Sequence, residues 1–474
     1  MSSILDNKLN KDKCQKFTPS DIVENMLDLA DYRSDLAGKK VLENSFGSGN
    51  IIIAVVKRYI EDSLSAGIMP EDISRNLESD IYGVELDKEL FDACIHKLNL
   101  IVEAYSIPRV KWSLFNEDAL FWQCPITFDF IIGNPPYITY KDIDEVNRRR
   151  IREKYESCKL GKFDYCYAFI ERGIELLNSS GKLVQLVPAN IYKNVFGEKL
   201  RELLYPHIRL IRDYPGQELF DKALTSSTIF LFDKSYESEV FTYVDMTISE
   251  KTDIARSALG NKWIFSSRTK DPQEKLRFGD YFHASIVVAT LLNKAFVLSS
   301  KDFDGTNIEV QVVRKAASPK QLRRKVQEFI IFPYYYMNGE LMHYDKTTFE
   351  RNYPNAVQHL NNYKSELDER QKDSRAAWFE YGRSQALAHL KQKKLLMSTV
   401  VTKQVELYLL DEETIPYSGI FITVKKPEYS LNDAAKILQS NHFMEYVQSL
   451  GISVSGNSKR ITCKDINNYM FVKE

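Results

Sequence analysis

The stretch FDFIIGNPPYITY, residues 128–140, decides how this chain is read. Its first half is apolar enough and short enough for a buried strand, and it stops at Gly133. Asn134, Pro135, Pro136 and Tyr137 follow. Two consecutive prolines fix two φ angles and remove two N–H donors. The chain therefore stiffens the mouth of a buried strand, with an amide on one side and an aromatic ring on the other.

Outward from this stretch, strand-like and helix-like segments alternate. KKVLENSF (39–46) reads as a strand and IIIAVVKRYIEDSL (51–64) as a helix. DIYGVEL (80–86) and KELFDACIHKLNLIVEAY (88–105) repeat the pair, and KFDYCYAFIERGIELLNSS (162–180) with GKLVQLVPAN (181–190) gives a helix and another strand. The alternation predicts an α/β fold, a doubly wound, Rossmann-like, mostly parallel sheet with helices on both faces. STIFLFDKS (227–235) reads as its last apolar strand. A polar stretch, short strand-like pieces and aromatic runs such as FIIFPYYYM (329–337) follow. The expected division is 1–245 for the sheet domain and 246–474 for a mixed α+β domain.

The composition is that of a soluble globular chain: 474 residues, 27% charged and 44% hydrophobic, with 64 Lys+Arg against 65 Asp+Glu. A net charge of -1 leaves nucleic-acid binding to local clustering. The six cysteines are scattered without a CxxC pair, which argues for a reduced protein with no disulfide framework and no metal site. The polar N-terminus carries no signal peptide pattern, and no apolar run nears the ~20 residues of a membrane span. A cytoplasmic location without membrane contact is the expectation.

Ligands of doubly wound sheets bind at the carboxyl ends of strands. Three ends stand out besides NPPY. ENSFGSGN (43–50) places Gly47 and Gly49 in a tight turn between strand and helix. Glu85 ends the next strand, where a carboxylate accepts from ribose hydroxyls. Asp118, in NEDALFW, follows a short strand and is placed to accept from an exocyclic amine. The third glycine of the dinucleotide fingerprint is missing, and Glu85 lies further along than the roughly 20 residues of that fingerprint, which disfavours NAD. Asp164 and Lys162 are expected to cap the following helix.

In this order the motifs resemble the amino-group DNA methyltransferases that use S-adenosylmethionine, above all the N6-adenine members of restriction–modification systems with the gamma motif order. NPPY is similar to that family's catalytic tetrapeptide. FTP, with Phe17, Thr18 and Pro19, is similar to the segment closing over the methionine end of the cofactor, and FGSG to the glycine motif, with Glu43 as its acidic residue. Asn44 departs from the residues often seen there. The resemblance gives Glu85 the cofactor ribose, Asp118 the cofactor adenine, and Phe220 the flipped base. It extends to HASIVVATLLNKAFVL (283–298), FIIFPYYYMNGEL (329–341), LDERQKDSRAAWFEYGRSQ (367–385) and YSGIFITV (417–424), which look like the family's specificity region, so the second domain is expected to recognise double-stranded DNA.

The N6 amine of adenine is a weak nucleophile because its lone pair is delocalised into the ring. Two fixed acceptors for its N–H bonds let the nitrogen pyramidalise and aim at a methyl carbon. The Asn134 side-chain oxygen and the Pro135 carbonyl are expected to supply them, held by the prolines. Tyr137 is expected to stack on the base, which must leave the duplex to be reached.

VRKAASPKQLRRK (313–325) carries Arg314, Lys315, Lys320, Arg323, Arg324 and Lys325 without an acid, and RSQALAHLKQKK (383–394) is a second basic cluster. Both are candidates for phosphate contact. Alternatives are an RNA or protein-glutamine methyltransferase with the same loop, or a non-catalytic DNA-binding subunit. The expected protein is a monomer, with any restriction endonuclease encoded on a separate chain.

Overall fold

The structure, a computed structural model, describes residues 18–215, 227–265, 275–454 and 458–472. Phe17 and Phe220 lie outside the described residues. The chain divides into two compact units, Met1–Thr269 and Lys270–Glu474.

The first unit is built on a nine-stranded sheet in the order β3-β2-β1-β4-β5-β7-β6-β8-β9. The strands are β1 Val41–Glu43, β2 Ile81–Val84, β3 Ser113–Phe115, β4 Phe128–Gly133, β5 Leu177–Pro188, β6 Ile208–Tyr214, β7 Ser227–Asp233, β8 Val240–Asp245 and β9 Glu250–Ala255. β3, β2, β1, β4 and β5 run parallel, and β7 is antiparallel to both β5 and β6. The helices that matter here are α1 Ser20–Ala30, α2 Asn50–Ser65, α3 Pro70–Asp80, α4 Lys88–Ala104, α5 Glu145–Lys154, α6 Cys166–Leu176 and α7 Glu198–Leu204.

Strand alternation distributes the core. Ile132, Val184, Leu186 and Leu231 point to one face, against α1, α2 and α4 through Met26, Leu27, Val55, Val56, Cys94 and Leu98. Ile131, Leu183, Val187 and Phe230 point to the other, against α6 and α7 through Tyr167, Phe169, Ile170, Leu200 and Leu204. Both faces of the strands are buried, which is why β4, β5 and β7 read as continuous apolar runs. The order reverses between β1 and β4: from β1 the chain moves outward to β2 and β3, then crosses back to β4 on the other side. That is the switch point at which open sheets of this kind form a crevice.

The doubly wound sheet matches the sequence expectation, with differences at its far edge. The sequence reading ends the sheet at β7, whereas β6, β8 and β9 also belong to it. β9 lies past residue 245, and Trp263 and Phe265 pack on Tyr192 and Phe241, so the first unit continues to Thr269. The helix read over 162–180 is shorter, and pairing with β4 already begins at Leu177.

The second unit contains two four-stranded sheets. One runs Phe282–Ile286, Ile420–Val424, Lys394–Met397, Leu407–Leu410 and packs on helices Leu431–Gln439 and Asn441–Leu450. The other runs Val297–Ser299, Glu328–Ile331, Val313–Ala317, Ile415–Pro416 beside an aromatic core of Phe332, Tyr334, Phe349, Phe379 and Tyr381. The mixed α+β expectation holds for this unit.

Candidate active site

The glycine turn joins β1 to α2. Gly47 (φ 55) and Gly49 (φ 94) both sit in the left-handed region. At Gly49 a Cβ would lie 2.6 Å from Cys94 Sγ, so α4 packs there directly against the backbone. At Gly47 a Cβ would meet nothing within 4 Å, so the outer side of the turn is open to a ligand's approach.

Glu85, just past β2, braces this turn. Its two oxygens accept from the Gly47 N–H and the Asp87 N–H, both at 2.8 Å. A carboxylate offers about four acceptor positions, so these bonds leave capacity for a ligand. Burial pushes its pKa up, against the pull of those N–H donors. Glu43 is only 4% exposed, and its Oε2 has no hydrogen-bond partner among the described residues. Burial raises the Glu43 carboxyl well above the usual range, and the nearby Glu85 adds to the rise. Asp118 accepts from the Leu120 N–H at 3.0 Å, and burial raises its pKa despite Arg150 and Lys154 nearby.

Thr18 connects the turn to the NPPY loop. Its hydroxyl oxygen accepts from Asn134 Nδ2 at 3.1 Å, and its carbonyl accepts from Asn50 Nδ2, at the start of α2, at 3.1 Å. The Asn134 carbonyl accepts from Ser45 Oγ at 3.3 Å. Pro135 is buried. Tyr137 is anchored at its hydroxyl, which donates to the Leu186 carbonyl on β5 at 3.2 Å. Asn134 and Thr18, and Gly47 and Glu85, are thus bonded pairs around the ends of β1, β2 and β4, Glu43 ends β1, and Asp118 follows β3. Pro19 precedes α1 as its N-cap residue.

Asn50 and Ser45 are further candidate positions, through their bonds to Thr18 and Asn134, that sequence reasoning misses, since single polar residues in a glycine-rich turn carry no periodic signal. Asp164 does not cap α6 with its side chain; Tyr165 is the N-cap residue and no side chain caps it. The Asp164 carboxylate instead accepts from Asn194 Nδ2 at 3.4 Å, and burial raises its pKa against bonds from Asn194 and Asn190. Its neighbour Tyr165 donates its N–H to the Ile138 carbonyl at 3.1 Å, so this segment lies against the chain leaving NPPY.

The basic clusters of the second unit are less uniform than their sequence suggests. Arg323 is ion-paired to Glu406 through Nε and Nη2 at 2.8 and 2.7 Å. Arg314 donates to the Gln311 and Val313 carbonyls and lies 3.5 Å from Glu413. Lys315, Arg324 and Lys325 are exposed. Lys394, in the second cluster, is fully buried and donates to the Asp411 and Glu412 carbonyls, so it is no phosphate contact. Burial lowers its pKa to about 8. A half-open cleft of about 400 Å³ is lined by Arg323, Ser398, Thr402, Lys403, Gln404 and Glu406, among others. It belongs to this unit and lies apart from the NPPY loop in the chain.

Residues 70–220 match the family model described as Eco57I restriction-modification methylase. The Type II methyltransferase M.BstVI of Geobacillus stearothermophilus is 32% identical over 249 residues, 48% of this chain and 44% of that protein. The Type II methyltransferase M.PaeR7I of Pseudomonas aeruginosa is 29% identical over 203 residues, 41% of this chain and 35% of that protein. The matches therefore span less than half the length of these relatives. Among solved structures, the Type IIL restriction-modification enzyme MmeI in complex with DNA superposes with a TM-score of 0.60 at 11% identity, over 94% of this chain and 64% of that one. A nuclease-deletion mutant of the Type ISP enzyme LlaGI with a DNA substrate mimic gives 0.54 at 12%, over 91% and 51%. At such identities these two show a shared fold. With NPPY, the glycine turn and Glu85 arranged at the ends of this sheet, the chain is similar to the methyltransferases of restriction–modification systems.

Proposed function

We propose that the protein transfers a methyl group from S-adenosylmethionine to the N6 amine of an adenine flipped out of a specific double-stranded DNA sequence, as the modification activity of a restriction–modification system. The observation that carries this reading is the Thr18 link: one residue holds the amide of Asn134 and the first residue of the helix behind the glycine turn. It joins the proposed methyl-acceptor site to the proposed cofactor site.

The residues present fit the cofactor. The buried carboxyl of Glu43, with an unbonded oxygen, suits the ammonium of a methionine moiety, and Glu85 suits a ribose. When bound, S-adenosylmethionine supplies an electrophilic methyl group on a sulfonium. Thr18 takes the NH2 end of the Asn134 amide, which fixes the other end as the acceptor. Asn134 Oδ1 and the Pro135 carbonyl accept the two N–H bonds of the target amine, and little reorganisation accompanies the reaction because the prolines hold both. Tyr137, fixed through its hydroxyl, offers its ring to the base. Alignment of the two reactants accounts for up to ~7–11 kcal/mol of the barrier in favourable cases.

The test is incubation of the protein with labelled S-adenosylmethionine and duplex DNA of mixed sequence, followed by nucleoside analysis. The reading requires N6-methyladenine at one recurring sequence. Label in cytosine, in RNA or in protein glutamine, with none in adenine of DNA, would remove it.

A further inference from the structure

We infer that the outer face of α5 is a DNA contact made by the first unit itself, with Arg149 and Arg150 holding backbone phosphates beside the modified nucleotide; this rests on the proposed function above. α5 has the sequence EVNRRRIREK, and five of its ten residues are basic. It follows the NPPY loop after one short turn, Tyr140–Asp142.

The five basic residues divide into two groups. Arg148 donates to the Tyr140 carbonyl at 2.9 Å and the Lys141 carbonyl at 3.0 Å, with its guanidinium 4.4 Å from the Tyr140 ring centroid. Arg152 donates to the Tyr140 hydroxyl at 3.0 Å and to the Gly161 carbonyl, and Lys154 donates to the Leu120 carbonyl. These three clamp the helix to the segment leaving NPPY and to the segment after Asp118. Arg149 and Arg150 are exposed. Arg150 makes only a long hydrogen bond to Asn147 Oδ1, 3.5 Å, and rests 4.0 Å from the Phe121 ring centroid. Among the described residues, none of the five is ion-paired to a carboxylate. Of the nearby acids, Asp144 caps the helix and Asp142 accepts from Thr139 Oγ1 at 2.6 Å, while Glu145 and Glu153 lie one turn to either side of Arg149 without an ion pair to it among the described residues.

Exposure alone would suit a merely solvated face. What distinguishes this one is its support. Two exposed arginines without an ion-pair partner among the described residues, Arg150 of them near the Asp118 carboxylate, stand on a helix held fast to the loop proposed to grip the base. A flipped nucleotide carries its phosphates to the rim of its pocket, and a guanidinium fork matches a phosphate with two parallel hydrogen bonds. A contact here would hold the strand being modified, independently of sequence.

The experiment uses the full chain and its Arg149→Ala, Arg149→Glu and Arg150→Lys variants. Affinity for a duplex containing the methylated sequence and for an unrelated duplex of equal length is measured over a range of salt concentrations, and S-adenosylmethionine affinity is measured alongside. The expected result is that Arg149→Ala weakens both duplexes alike and lowers the salt slope by roughly 0.9. Arg149→Glu should weaken them further, and Arg150→Lys should retain most of the affinity, with cofactor binding unchanged throughout. Wild-type DNA affinity and slope in Arg149→Glu, in a protein that methylates adenine, would overturn this contact and leave the proposed function standing. Parallel loss of cofactor binding would also overturn it, because the residue would then be structural. A wild-type protein that binds duplex DNA through Arg149 but methylates none would support the contact and sink the function.

Discussion

Asn134 and Tyr137 are one turn of loop apart and are held by different means, so their substitutions separate. Asn134 is oriented by Thr18, and its proposed interaction develops in the transition state. Asn134→Ala should therefore collapse single-turnover methyl transfer while leaving affinity for cofactor and DNA nearly intact; transfer at the wild-type rate would exclude the mechanism. Thr18→Val keeps the shape but removes the hydroxyl acceptor. A single hydrogen bond of this kind is worth about 0.5–1.5 kcal/mol, so the rate should fall several-fold, less than for Asn134→Ala. Tyr137→Ala should lose a base stack worth about 1–3 kcal/mol and leave 2-aminopurine at the target position dim. Tyr137→Phe keeps the ring and loses the hydroxyl's bonds, that to the Leu186 carbonyl among them, and should keep much of the activity. If Tyr137→Ala flips and methylates normally, another aromatic must carry the stack, and Phe220 is the first candidate.

At the scale of elements, the strand–turn–helix units around the switch point were legible because apolar period, glycine and carboxylate coincide there. FDFIIG is a strand from its first to its last residue, and the helix read over 88–105 is α4, with Asp87 as its cap accepting from the Glu89 N–H at 2.9 Å. β6, β8 and β9 were not legible: they are half-exposed, their apolar residues are interrupted by Arg, Asp, Thr and Tyr, and pairing rather than local preference makes them strands. The roles of Asn50 and Ser45 depend on hydrogen bonds with Thr18 and Asn134, distant in sequence, which no local pattern reports. The carboxylates of the turn yield a pH prediction. Glu43, Glu85 and Asp118 all have pKa values raised by burial. Their contribution to stability without ligand is present below the ordinary carboxylate range and is lost as pH rises through the raised folded values. A bound ammonium and ribose favour the charged forms instead. The melting-temperature gain from S-adenosylmethionine should therefore shrink as pH is lowered from about 8 toward about 5. Glu43→Gln should raise the unliganded melting temperature at neutral pH and flatten this dependence. A gain independent of pH in both proteins would detach Glu43 from the cofactor.

At the scale of the whole chain, charge clusters read from sequence overstate what a fold offers a polyanion. In VRKAASPKQLRRK the run of cations suggests one uniform surface, yet Arg323 is matched to Glu406 and Arg314 faces Glu413, partners more than 80 residues onward that no local reading could supply. Lys315, Arg324 and Lys325 stand exposed. If the second unit recognises DNA, these three and the equally exposed Lys320 are the cations ready for phosphates. Arg323 would have to leave Glu406 first, and its release offsets part of any gain. Neutralising Arg324 and Lys325 together should weaken binding to every duplex and reduce the salt slope by roughly 0.9 for each phosphate no longer neutralised. Arg323→Ala should change the slope less, because it also frees a carboxylate. Glu406→Gln is the sharper arm: it unpairs Arg323 and removes a negative charge, so binding should tighten with a steeper slope. Filter binding over a series of salt concentrations reads all three variants. A double variant at Arg324 and Lys325 with the wild-type slope, or an Arg323→Ala variant with the larger effect, would reverse this ranking and make the Arg323–Glu406 pair the DNA-facing element.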